Sequence, residues 1–232
     1  AASYTLRDYL AELQPAELNG THLLMAFCSG EGILINNQRD IKAPSDLVGL
    51  EIRVNGIMAD TISAFGGTPV AMVASEAYEA IRSGIVDGYM ATPDSVGQFK
   101  LYEVTNHATR VHFCNTTHLT LMNQSVYDKL SNNQKKILDE CAAEVFEQSG
   151  CCWFEQSATD VYEQYAASGG TVTYLTEEEE QSFLDLTSHL ITNYVAKLDQ
   201  QGLDGTRALE LLNSLSAKYN EMYSVSENTY VP

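Results

Sequence analysis

Residues 41–104 read IKAPSDLVGLEIRVNGIMADTISAFGGTPVAMVASEAYEAIRSGIVDGYMATPDSVGQFKLYEV. Three short apolar runs, Glu51–Val54, Pro69–Val73 and Ile85–Met90, alternate with two segments of helical period. Met58, Ile62 and Phe65 recur at i, i+4, i+7, which is one apolar face of a helix. Ala77, Ala80, Ile81 and Gly84 repeat the pattern in the next segment, with Ser75 expected as N-cap and Gly84 as the stop. Strand, helix, strand, helix, strand is a βαβαβ unit, and it predicts an α/β fold with a largely parallel sheet.

The chain has 232 residues, enough to bury a sizeable core as one large domain or two small ones. Its net charge of −18 argues against nucleic acid and anionic membrane as partners, since both need clustered Lys and Arg. Any anionic ligand must then be captured by a local cationic site against the overall field. No run of apolar residues is long enough for a membrane span, so direct membrane insertion is not expected. Five cysteines, Cys28, Cys114, Cys141, Cys151 and Cys152, form no CxxC. Buried free thiols, a long-range disulfide and a catalytic thiol remain open for them, the first being the simplest.

Outward from the central stretch, Thr5–Leu13 predicts a helix and His22–Phe27 a strand. "CSGEGILIN" at 28–36 suits a crossing between lobes or a turn, and Lys42–Gly49 a helical turn capped by Ser45. Thr92-Pro93 reads as N-cap and first position of a helix ending near Leu101. His112–Asn123 predicts one strand. Ser131 with Gln134 forms a capping box before a helical pattern over 132–168, with a kink expected at Gly150, a packed Trp153 and a stop at Gly169-Gly170. Thr171–Leu175 predicts a strand. A second box, Thr176 with Glu179, opens a helix to about Gln200, and Glu177–Glu180 reads as a solvated, dipole-complementing first turn. A last helix is expected over Thr206–Met222, and a frayed tail over Ser224–Pro232.

No HExxH, GxSxG, GxxxxGK[ST] or GxGxxG is present, so no enzyme class is indicated, and no cofactor or catalytic residue is proposed. His112 and His118 share a face of the expected strand, but no acidic or thiol ligand stands at a usual spacing, which favours a structural role over a metal site. Arg53 is placed at the end of a parallel strand, where open α/β sheets bind ligands. Its planar fork suits a carboxylate, and a surface ion pair to a nearby Asp or Glu is the competing reading.

"SDLVGLEIRV", "GGTPVAM", "SEAYEAIRSGIVDG" and "KLYEV" follow one another in the order and spacing of DctP-type proteins. The chain thereby resembles the solute-binding proteins of TRAP (tripartite ATP-independent periplasmic) transporters, more weakly as far as about residue 215. The resemblance implies a periplasmic-binding-protein-like two-lobe fold with a long lobe-spanning helix. It implies a periplasmic or otherwise extracytoplasmic location, an organic acid as ligand and TRAP membrane permease subunits as partners. A ligand-sensing input domain of a signalling protein is the alternative. Residues 1–30 and 117–156 are expected to be what remains of the first lobe plus the spanning helix. Residues 31–116 and 157–210 are expected to form the second, ligand-binding lobe, and 211–232 the C-terminal helix and tail.

The resemblance also assigns positions. Arg53 matches the Arg that grips the ligand carboxylate. The segment with Ala74 and Ser75, and that with Tyr89, Met90, Ala91 and Thr92, match pocket walls, and Asn115, Thr117 and His118 are expected to complete them. Relatives that bind sialic acid carry an aromatic residue where Ala74 stands, an Asn where Ala91 stands, and a second Arg where Ile33 stands. These departures imply a carboxylate with a more apolar or aromatic body. The family's opening β-α units are expected to be largely absent, which leaves a half-built pocket and, as expectations, either self-association or weak binding by the isolated chain.

Overall fold

The computed structural model describes residues 1–56, 58–113, 115–148 and 153–223. In chain order the elements are α1 (Ala2–Leu13), β1 (Thr21–Cys28), β2 (Gly32–Asn36), β3 (Glu51–Val54), α2 (Met58–Ala64), β4 (Thr68–Ala71), α3 (Ala77–Arg82), β5 (Gly88–Ala91) and α4 (Pro93–Gln98). There follow β6 (His107–Val111), β7 (Thr117–Asn123), α5 (Gln124–Tyr127), α6 (Asn132–Gln148), α7 (Trp153–Ala167), β8 (Thr171–Tyr174), α8 (Glu177–Gln200) and α9 (Gly205–Met222). They form two compact units. Unit 1 holds the described parts of Ala1–Ser29, Thr117–Cys152 and Tyr194–Pro232, and unit 2 those of Gly30–Thr116 and Trp153–Asn193.

Unit 1 has a two-stranded antiparallel sheet, β1 with β7, interrupted by an irregularity between Leu23 and Met25. Tyr4 on α1 joins its helices. Its ring meets Phe146 of α6 edge-on at 5.2 Å and stacks on Tyr219 of α9 at 5.6 Å. Its hydroxyl donates to Glu147 at 2.6 Å. Tyr219 also donates to Asp8, so α9 is fastened to α1. This packing corrects the expected boundaries: 194–210 belongs with unit 1, not with the second lobe, and α9 is part of unit 1 rather than a separate tail. Residues 153–156 fall in unit 2.

Unit 2 is a six-stranded sheet, ordered β4-β3-β5-β2-β6-β8, with a core on each face. Strand alternation divides the side chains. Ile33, Ile35, Tyr89 and Ala108 point to one core with α3, α4 and α7. Leu34, Ile52, Val54 and Met90 point to the other, with α2 and Phe183 of α8. Ile62 of α2 and Phe65 directly after it, and Ala77, Ala80 and Ile81 of α3, are buried as their helical spacing predicts. The βαβ pairings are parallel, β3 with β4 and with β5. Gly84 has the positive φ of a helix stop, at 74°.

Several expectations change. β2 pairs antiparallel with both β5 and β6, so the sheet is mixed. Its run GILIN is buried at every position, and a short continuous apolar run carries no period by which to read its direction or even its type. His112–Asn123 is not one strand: β6 ends at Val111 and β7 begins at Thr117, in the other unit. His112 and His118 therefore share no strand face. Ser75 lies in a 3-10 turn ahead of α3 and does not cap it. Asp46, not Ser45, satisfies the amides of Lys42 and Ala43 at 2.9 Å. Both capping boxes form: Ser131 N donates to Gln134 at 2.9 Å and Thr176 N to Glu179 at 2.8 Å.

The stretch 132–168 is helical over α6 and α7, and the expected kink at Gly150 and the Trp153 side chain lie outside the described residues. Cys28 is buried and Cys141 is an exposed free thiol, while Cys114, Cys151 and Cys152, like the tail from Ser224, lie outside the described residues.

β5 approaches β2 so closely at Gly88 that a Cβ there would sit 2.1 Å from Ile35 O. Gly88→Ala is expected to cost at least about 3 kcal/mol, because a backbone atom cannot give way. Urea unfolding of the variant beside the parent measures it, and a loss below about 1 kcal/mol would contradict the register given for β2.

Candidate functional site

Five of the six strands of unit 2 run the same way, so their carboxyl ends share one edge, and the amino end of the reversed β2 joins them there. Arg53 stands near this edge on β3, with Val70 and Tyr89 as its cross-strand neighbours. Only 3% of it is exposed. Its Nε and Nη2 both donate to Met72 O, at 2.9 and 2.7 Å. Its Cζ lies 4.7 Å from the centre of the Tyr89 ring, in a cation–π contact. The Tyr89 hydroxyl donates to Ser95 Oγ at 3.3 Å, and Ser95 Oγ to Thr92 O at 2.7 Å. The guanidinium is thus held on one side by a carbonyl and on another by a ring.

Among the described residues Arg53 has no ion pair. Arg7, Arg82 and Arg110, by contrast, are each within 4 Å of a carboxylate. The competing reading of Arg53 as a surface cation tied to a local acid therefore fails on two counts, its burial and its lack of an acid. A buried guanidinium bonded only to a neutral carbonyl keeps most of its desolvation cost, and an anion placed beside it would offset that cost.

The candidate positions separate by geometry. Met72, bonded to Arg53, leads into Val73, Ala74 and Ser75, so this segment adjoins the guanidinium. Ala74 is half-buried and Ser75 exposed. Tyr89 is under Arg53, Ala91 follows on the same face, and Thr92 is buried at the start of α4. Met90 points into the opposite core and shares nothing with Arg53, a correction that follows from the period of two in a strand. Asn115 is exposed in unit 2 after β6. Thr117 and His118 are in unit 1 on β7, where the His118 ring stacks on Phe27 at 5.1 Å.

The sequence reading missed a second group on the same edge. Glu31 accepts from Arg110 Nε and, at 3.1 Å, from the Tyr162 hydroxyl. His112 stands between Glu31 and Glu180. Glu180 is thus not one of a uniformly solvated acidic run. The only available hint was that Glu31 flanks an apolar run, as many surface acids do.

Unit 1 has a cavity of about 320 Å³ lined by Leu23, Leu24, Met25 and Phe146, with Arg7 and His22 at its rim. Both side chains are already partnered, Arg7 with Asp8 and Glu147, and His22 with Asp139. It has no spare charge for an anion. Among the described residues no cluster of acids, histidines and cysteines could hold a metal, and no helix is long and apolar enough to cross a membrane.

Residues 8–198 match the bacterial extracellular solute-binding protein family 7, DctP. The chain belongs to this family. It is 26% identical over 212 residues to the ectoine-binding periplasmic protein TeaA of Halomonas elongata, covering 90% of this chain and 60% of that protein. Its fold is that of TRAP solute-binding proteins. One from Rhodoferax ferrireducens, solved with copurified benzoate, superposes with a TM-score of 0.87 at 21% identity, over 95% of this chain and 70% of that one. Another, from a marine metagenome and specific for aromatic acid ligands, gives 0.85 at 22% identity, over 94% and 70%. The chain thus spans about 60% of the length of its curated relative.

If Arg53 is kept for a ligand and not for stability, Arg53→Met should change the unfolding free energy by no more than about 1 kcal/mol, since the lost carbonyl bonds are offset by the relieved desolvation. Chemical denaturation tests this. A loss beyond about 3 kcal/mol would make Arg53 a structural cation.

Proposed function

We propose that this protein captures an organic acid outside the cytoplasmic membrane and passes it to TRAP permease subunits, with no covalent chemistry. The observation that carries the reading is Arg53: buried, fixed by Met72 O and Tyr89, and, among the described residues, without an acid of its own. The donors used by Met72 O are Nε–H and one Nη2–H. The end-on edge, Nη1 with the second Nη2–H, matches the two oxygens of a carboxylate. An extracytoplasmic location is supported by the relatives, which are periplasmic binding proteins and not enzymes. They favour transport over a sensor domain.

Apart from the hydroxyl of Ser75, the accessible side chains of the segments next to Arg53 are Met72, Val73, Ala74 and Ala91, with Val73 60% exposed. They offer apolar contact to the body of the ligand and no donors for a row of hydroxyls. An aromatic or similarly flat monocarboxylate suits them better than a sugar acid. The structural neighbours that hold benzoate and other aromatic acids support this choice.

Isothermal calorimetry with benzoate tests the site. Arg53→Lys should weaken binding at least about tenfold, because a point charge cannot reproduce the planar fork. Equal affinity in parent and variant would remove Arg53 from the site. Tighter binding of galacturonate than of benzoate would overturn the apolar body.

A further inference from the structure

The imidazole of His112 has a carboxylate at each nitrogen. Nδ1 lies 3.1 and 3.0 Å from the two oxygens of Glu180, and Nε2 lies 3.5 Å from Glu31 Oε2. The His112 amide also donates to Glu180 Oε1 at 2.8 Å. A neutral imidazole has one N–H, so one of its nitrogens would turn a lone pair toward a carboxylate. Only the imidazolium donates to both. The arrangement therefore selects the charged form by stereochemistry.

Its place in the chain gives this selection a consequence. The chain passes between the units at 29/30 and at 116/117. Glu31 follows the first crossing directly, and His112 shortly precedes the second. Glu180 lies in the first turn of α8, the helix within which a further crossing falls, at 193/194. The group thus ties together, inside unit 2, the segment just after one crossing, the segment just before another and the first turn of α8.

We propose that His112 is a pH-operated staple: as imidazolium it ties the segment before β2, the end of β6 and the first turn of α8 into one anchor, and on losing its proton it releases one of its two carboxylates. The other groups facing it fit this role. Arg110 of β6 and Tyr162 of α7 bond Glu31 and keep its carboxylate in place whatever the state of His112. Tyr174 of β8 lies 6.3 Å from the Tyr162 ring. Glu179 turns away to cap α8 at the Thr176 amide.

The titration points the same way. The Glu31 bond raises the His112 pKa above its ordinary value, burial opposes this, and Glu180 adds to the rise. Burial alone would raise Glu31, but its bonds to His112, Arg110 and Tyr162 outweigh that and leave it lowered. A raised histidine stabilises the folded state below its unfolded pKa and loses this as pH rises through its folded pKa. A lowered glutamate stabilises above its unfolded pKa and loses this as pH falls through its folded one. The anchor is therefore tightest between the ordinary glutamate range and the ordinary histidine range, and it loosens on the alkaline side through His112.

Hydrogen exchange of the unliganded chain, corrected for intrinsic rates, tests the proposal at about pH 6 and about pH 8.5, on either side of the histidine range. Protection of 30–33, 110–113 and 177–183 should fall about two- to fivefold at the higher pH, the loss expected of a partly exposed ionic bond. Protection of β3 and β4 should not change. His112→Gln should abolish the pH response. Glu180→Gln keeps the imidazole and should lower the His112 pKa seen by NMR, which covers the case of an unfolded His112→Gln. The proposal is overturned by pH-independent protection in the parent, by a parental response in His112→Gln, or by a His112 that titrates at or below the ordinary value.

Discussion

β2 opposes both of its neighbours in the middle of the sheet, and the placement of Glu31 beside Arg110 and His112 follows from that reversal. Because β2 enters where β5 and β6 leave, Glu31 arrives at the carboxyl edge directly after the chain's first passage between the units. Ile33 then pairs with Ala91 on one side and Arg110 on the other. A parallel β2 would send Glu31 to the opposite edge and leave both Arg110 and His112 without it. The pairing of β2 with β5 depends on close contact: only a glycine at position 88 lets β5 lie against Ile35 O. The packing constraint and the electrostatics of the edge thus have one origin.

What the sequence reveals here depends on whether a pattern is local. The helices α2 and α3 were legible because their apolar residues repeat every third or fourth position and each packs on one face of the sheet. The capping boxes at Ser131 and Thr176 were legible because all their atoms lie within four residues. β2 was not, because five buried residues in a row fit a strand of either direction. The break between β6 and β7 was hidden by apolar residues that alternate well enough on both sides of it, although the two strands belong to different units.

The site shows the same division. Arg53 could be singled out by residue type and by its place at a strand end. Its acceptor, Met72 O, could not, because a backbone carbonyl carries no signature in sequence. The resemblance groups Met90 with Tyr89 as one segment, and the pleat puts the two side chains on opposite faces. The Glu31, Arg110, His112 and Glu180 group escaped notice because its members are up to 149 positions apart and each alone resembles a surface charge.

On the proposed function, an acidic protein must hold an acid by an attraction that is local. The net charge of −18 is spread over exposed Asp and Glu, whose field falls within roughly 8–10 Å in physiological salt. Arg53 is shielded from that salt by its burial, so its attraction for a carboxylate in contact is felt in a medium of lower dielectric. The distant negative charges slow the approach of an anion and the near positive one holds it, so the two act on different quantities, rate and residence. Arg110 shows what the alternative would be. It lies on the same face of the sheet, but Glu31 neutralises it, and it offers a passing anion no net charge. Among the described residues of unit 2, Arg39 and Arg53 have no carboxylate within ion-pair distance, and of the two only Arg53 is buried, which is what sets it apart from Arg110 as a candidate for a ligand.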